Sequence, residues 1–168
     1  MQVDKSGIKW RIVVIEFSGR HFHSMDNKGR VSIPSRYREI LVELQDRQLV
    51  ITNYFQRKTQ DGVAGEIHYL RAFPTAAWQE YIEAQKPIFA KNINLRRFIT
   101  GGKEECPLDR QGRILISPSL RDFAQLSRDL ILVGMTNWFE IWDRGVYEAN
   151  LPLLLDTIDE KDLEASEY

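Results

Sequence analysis

Two five-residue stretches carry the side chains best suited to recognition chemistry: Asp26-Asn27-Lys28-Gly29-Arg30 and Asp109-Arg110-Gln111-Gly112-Arg113. Each sets an Arg four positions after an Asp, with a Gly between them. Arg offers a planar fork of donors that fits a phosphate or a guanine edge bidentately, and Lys supplies a point charge. An Asp four residues upstream can brace the Arg, and a braced Arg is already ordered for contact. The same pattern also reads as a plain tight turn, in which Asp bonds the backbone and Gly takes the position needing positive φ. Asn27, Lys28 and Arg30 are therefore the candidate contact residues, with Arg20, Arg36 and Arg38 around the first turn as candidate phosphate partners. Asp26, Gly29, Asp109, Gly112 and Arg113 are read as structural. In the second copy Gln111 replaces Lys28, and Glu104 and Glu105 add negative charge beside Asp109. That crowding assigns Arg113 to bracing the turn or to a subunit seam.

Other chemistry finds little support. His21 and His23 share one strand face, but no Cys or carboxylate set completes a metal site, so no metal or cofactor is expected. No nucleophile–base–orienter set, phosphate-cradling Gly loop or paired carboxylates emerge, so the chain is not expected to be an enzyme. A barrel enzyme and an oligomeric protein-interaction scaffold remain the alternatives to nucleic-acid binding.

The elements that must hold the two turns repeat with them. Asp26 and Asp109 lie 83 positions apart, and at the same spacing Ile33 meets Ile116, Arg38 meets Arg121, Leu49 meets Leu132 and Val50 meets Val133. A repeat of this length fixes the architecture before any single element does. Strands are expected over 8–17, 20–25, 31–33, 49–52, 67–73, 105–108, 113–116, 130–134 and 138–142. Helices are expected after Pro34, from Thr75 until Pro87 ends it, around Leu95–Ile99, after Ser117-Pro118, and through Tyr147, Leu151 and Leu154. Residues 56–66, polar and containing Asp61-Gly62, read as a turn region. Trp78, Trp138 and Trp142 read as core and interface aromatics. Trp138, Phe139, Trp142 and the helix after Arg144 are a plausible subunit seam. Neither half can bury much core alone, so the two should interleave as one β-rich α+β barrel with pseudo-twofold symmetry and peripheral helices. The expected divisions are an N-terminal extension (1–16), a first repeat (17–86), a helical connector (87–103), a second repeat (104–155) and an acidic tail (156–168).

The formal net charge of −1 conceals a division. Residues 1–103 hold 17 Lys and Arg against 10 Asp and Glu, a net of +7, while residues 104–168 hold 6 against 14, a net of −8. The acidic tail alone carries six carboxylates against Lys161. Such asymmetry suggests an anionic partner for the basic part and a solvating role for the tail. Cys106 is the one cysteine, which suits a reducing cytoplasm, and no apolar run is long enough for a membrane span.

With these motifs in view the chain resembles the MraZ family of bacterial transcriptional regulators, and its halves resemble AbrB/SpoVT-type swapped-hairpin units. The resemblance rests on Phe17-Ser18-Gly19, Met25 through Pro34 and Arg36-Tyr37-Arg38. In the second half it rests on Glu105 through Asp109, Gly112 through Ile116, Leu132-Val133-Gly134 and Phe139 through Asp143. It implies a swapped-hairpin, double-psi-type barrel that binds double-stranded DNA through the D-x-x-G-R loops. It further implies a ring-shaped homo-oligomer, nucleoid-associated in the cytoplasm, on tandem promoter boxes of the division and cell-wall gene cluster. Residues 1–16 precede the usual start of similar proteins, and 56–66 look longer than the usual connection.

Overall fold

A computed structural model describes residues 16–166. The strand expected over 8–17 therefore lies outside the described residues except at its end, where Phe17 bridges to Thr136. The elements run β1 (Arg20–Ser24), β2 (Arg30–Ser32), α1 (Ser35–Glu43), β3 (Gln48–Gln60), β4 (Val63–Phe73), α2 (Thr75–Lys91) and α3 (Ile93–Gly101). The second half follows as β5 (Glu104–Pro107), β6 (Arg113–Leu115), α4 (Pro118–Phe123), β7 (Asp129–Gly134), β8 (Phe139–Asp143), α5 (Arg144–Leu155) and α6 (Glu160–Ser166). Helix α2 runs on through residue 86, where the first repeat was expected to end. No described helix is long and apolar enough to cross a membrane.

The two halves are woven together. A six-stranded antiparallel sheet has the order β1-β7-β8-β4-β3-β5, and β2 pairs with β6 in a separate ladder. Exchanging each first-half strand for its second-half counterpart reverses the six-strand order and leaves it unchanged. The first strand of each half thus pairs with the third strand of the other. The fold is the expected β-rich α+β swapped-hairpin arrangement with helices outside the sheet.

The pairing registers locate the pseudo-twofold axis. Val31 pairs with Ile114, its own counterpart 83 positions on. At the other strand contact between halves, Arg71 faces Glu140. The register there makes these counterparts too, since Val50 pairs with Phe73 as Ile131 pairs with Trp142. The 83-residue spacing does not survive past the fourth helix. Helices α1 and α4 end alike, with Asp46 N bonding Leu41 O and Leu126 N bonding Arg121 O, and with Gln45 and Gln125 both at φ 54°. Those ends lie 80 apart because α4 is three residues shorter than α1. One extra loop residue then sets the strands 81 apart, so Leu49 corresponds to Leu130 rather than Leu132.

Apolar alternation divides the sheet's two faces. Leu49, Ile51, Leu130 and Leu132 point into the central core with Val31, Ile114, Tyr37 and Leu120 from the β2–β6 ladder, α1 and α4. Val50 turns to α2 and α3, and Ile131 turns to α5. Burial on both faces explains the continuous apolar runs at 49–51 and 130–133. Phe139 and Trp142 are 0% and 2% exposed within the chain, which removes them from any subunit seam.

Two sequence expectations fail for physical reasons. Residues 56–66 are chiefly strand: β3 and β4 pair from Val50↔Phe73 out to Gln60↔Val63, with only Asp61-Gly62 as the turn. The tip of this hairpin is largely exposed, so its polarity reflects solvent rather than absence of strand. Pro87 does not end α2, because Phe89 beyond it is buried against Val50, Phe73 and Trp78.

Candidate nucleic-acid interface

Both D-x-x-G-R turns fold by the same bonds. Asp26 Oδ1 accepts from the amides of Lys28 (3.0 Å) and Arg30 (2.9 Å), and Oδ2 accepts from Arg30 Nε at 2.6 Å. Asp109 Oδ1 accepts from the amides of Gln111 (2.8 Å) and Arg113 (3.0 Å), and Oδ2 from Arg113 Nε at 2.8 Å. Gly29 and Gly112 sit at φ +88° and +72°, where a side chain is strained. The Arg30 and Arg113 amides, followed by the same residues' side chains and then the Lys28 and Gln111 amides, hold the Asp26 and Asp109 carboxyls below the usual carboxylate pKa.

The expected hairpin around the first turn is short, closed by a bond from Asp26 N to Arg30 O at 3.0 Å. Met25↔Val31 is the single bridge between its arms; β1 goes on to β7 and β2 to β6. Each turn instead rests on the opposite half. Gly29 O accepts from Ile116 N at 2.9 Å, and Gly112 O accepts from Ile33 N at 3.0 Å. A Cβ on Gly29 would lie 2.8 Å from the Ile116 carbonyl oxygen and 3.0 Å from the Arg121 guanidinium carbon. Gly112 is likewise covered by the Arg38 side chain.

This exchange brings Arg30 and Arg113 together. In the β2–β6 ladder Arg30 pairs with Leu115 and Ser32 with Arg113. Cross-strand partners share a face and alternate residues share a face, so Arg30, Ser32, Arg113 and Leu115 all stand outward while Val31 and Ile114 point into the core. The two arginines are diagonal neighbours, about 7–8 Å apart at the backbone. Their side chains are 35% and 26% exposed. Each uses Nε for its Asp, and among the described residues neither terminal nitrogen has a protein hydrogen-bond partner. Bracing and contact are therefore compatible: the Asp holds one edge of the guanidinium and the terminal fork remains for an acceptor.

The remaining sequence candidates divide. Asn27 and Lys28 are exposed on the first turn. Arg20 begins β1 and Ser24 ends it, which puts Arg20 about 13 Å of strand away from the turn side. Arg36 lies exposed on α1 against Glu39 at 3.4 Å. Arg38 belongs with the second turn rather than the first, because the halves are exchanged. Glu104 accepts from Ser117 Oγ at 2.7 Å and Glu105 pairs with Lys103 at 3.0 Å, so each has a partner other than Arg113. His21 Nε2 lies 3.1 Å from the Ser18 carbonyl oxygen, and no cluster of three metal-ligating side chains occurs among the described residues.

Sequence reasoning missed Arg121, Arg128 and Arg47 beside the turns. The Arg38–Arg121 identity was visible at the 83-residue spacing, but not which turn each would cover. Arg47 and Arg128 are counterparts only at a spacing of 81, which the shorter α4 hides.

A family model described as "MraZ protein, putative antitoxin-like" matches residues 17–95 and 99–161. The chain is 39% identical over 136 residues to a protein of Acidithiobacillus ferrooxidans (strain ATCC 53993 / BNL-5-31) named transcriptional regulator MraZ, covering 79% of this chain and 86% of the relative. A protein of the same name from Acidovorax sp. (strain JS42) is 39% identical over 135 residues, covering 79% and 86%. Another from Shewanella amazonensis is 34% identical over 155 residues, covering 90% of this chain and 95% of the relative.

Proposed function

From the premise that this chain belongs to the MraZ family, we propose that it is a sequence-specific, DNA-binding transcriptional regulator and not an enzyme. Its DNA face is the outer surface of the β2–β6 ladder together with the two turns at its ends. One observation carries this reading: two arginines on one exposed face, each fixed through Nε by its own Asp, with terminal forks that have no partner among the described residues. A fixed fork loses little freedom on binding and matches a guanine edge or a phosphate bidentately. Arg30 is the principal base contact, Asn27 and Lys28 flank it, and Arg113 adds a second fork. That second role departs from a purely structural Arg113, since Glu104 and Glu105 are engaged elsewhere. The ring-shaped assembly on tandem promoter boxes of the division and cell-wall gene cluster belongs to the same proposal and follows from the family resemblance.

The test is selection of bound fragments from a random duplex pool, followed by titration of Arg30→Ala against the selected duplex. Loss of one good bidentate base contact costs about 1–3 kcal/mol per site. The expected result is a folded protein that no longer prefers the selected duplex. Undiminished preference in a folded Arg30→Ala variant would overturn the assignment.

A further inference from the structure

We propose that Arg121 and Arg128, contributed by the second half, complete the phosphate-contacting surface of the first turn beside Lys28 and Arg30. The proposal rests on the DNA-binding reading and deepens it. An open groove of about 590 Å³ separates the first turn from the end of α4 and is lined by Asp26, Asn27, Arg121, Ser127 and Arg128. The Arg121 guanidinium lies against Gly29, and its Nε is buried with no hydrogen-bond partner among the described residues. Arg128 is held in place by its own backbone, whose carbonyl accepts from Met25 N at 2.7 Å, one residue before the turn. Its side chain is exposed, and neither arginine forms an ion pair among the described residues.

The pseudo-twofold repeats the arrangement. At the second turn Arg38 covers Gly112, and the Arg47 carbonyl accepts from Leu108 N at 2.9 Å. Both positions hold Arg in both halves, although the helices between them differ by three residues. A mere lid on glycine needs bulk and no charge. Burial of Nε against Gly29 fixes the Arg121 guanidinium beside the groove, and its terminal nitrogens, which have no hydrogen-bond partner among the described residues, can donate to a phosphate oxygen as charge-assisted bonds. Contacts to phosphate position a protein without reading sequence, so these two arginines should strengthen binding to any duplex while Arg30 discriminates.

The experiment measures the salt dependence of binding by the full chain, using the selected duplex and an unrelated one. Arg121→Gln, Arg128→Gln, Arg121→Lys and Arg30→Ala are compared with Arg96→Gln, a control on α3 across the sheet from the ladder. Each phosphate contact contributes about 0.9 to the slope of log affinity against log salt. Each Gln variant should lower affinity for both duplexes by a similar factor and flatten the slope by about 1. Arg121→Lys should keep the slope, and the control should match wild type. Unchanged slopes in both Gln variants, with Arg30→Ala still losing its preference, would overturn the composite surface and leave the DNA reading intact. If Arg30→Ala also behaves as wild type, the DNA reading fails with it. Should Arg121→Gln melt early, the exposed Arg128→Gln decides the question alone.

Discussion

At the residue scale, the Asp–Arg pair is a device for aiming a charge. The Arg30 and Arg113 side chains are matched in bonding and stand on one face. Arg113→Ala should therefore weaken DNA binding with a melting temperature close to that of Arg30→Ala. The loss should be smaller than for Arg30→Ala, because Lys28 stands directly before Gly29 where the second turn has the neutral Gln111, although Arg110 gives the two turns the same formal charge. Titrations and melts of the two variants check this, and a change in assembly size without a direct binding loss would return Arg113 to a structural role. The turns also carry a pH signature. The folded pKa values of Asp26 and Asp109 lie below the ordinary value of about 3.9. Their contribution is therefore fully present above that value and is lost as pH falls through the folded values. Amide resonances of Lys28, Arg30, Gln111 and Arg113 should hold steady at pH 5 and move only below about pH 4. In Asp26→Asn the first pair should lose that transition.

At the element scale, the three-residue strands β2 and β6 are too short to be stable alone and exist because Val31 and Ile114 are buried between α1, α4 and the sheet. Helix α4 has only six residues, so its start matters. Ser117 Oγ accepts from Leu120 N at 3.3 Å and donates to Glu104 at 2.7 Å, tying α4 to β5. Ser117→Ala should cost about 0.5–2 kcal/mol from the cap, which is a few degrees in melting temperature for a chain of this size. Because α4 carries Arg121 over Gly29, affinity for any duplex should fall as well. Calorimetry and duplex titration would measure the two effects together, and a normal melt would remove α4 capping from the account.

At the scale of the whole molecule, the pseudo-twofold makes each turn a joint product of both halves, so neither half is expected to present it alone. Helix α5 packs on the sheet face opposite the ladder, and α6, which follows it, is exposed. Removing residues 156–168 deletes a net charge of −5 and takes the chain from −1 to +4. Weak binding to unrelated duplex should rise while preference for the selected duplex persists, as filter binding at low salt can measure. In a ring, adjacent boxes share a high effective concentration, a gain of about 100- to 10,000-fold where the geometry permits. Titration against one, two and three tandem copies tests that mechanism, and equal affinity for one and three copies would eliminate it.

The sequence by itself determined the repeated turn, the brace within it, the two-faced strands and the family resemblance. All of these are local in the chain: an Asp reaching amides two and four residues on, a Gly at positive φ, an apolar alternation. The partners were not local. Nothing in Met25 through Pro34 states that its strand will pair with residues 113–115, or that its glycine will be covered by Arg121. The 83-residue register pointed toward symmetry but concealed the step to 81, because a shortened helix moves every later residue without altering the pairing it serves. Only the tertiary structure decided that Arg38 serves the second turn and that Arg30 and Arg113 share a face. Strand exchange between halves buries apolar faces that neither half could cover alone, and that burial sets which distant side chains meet at each turn.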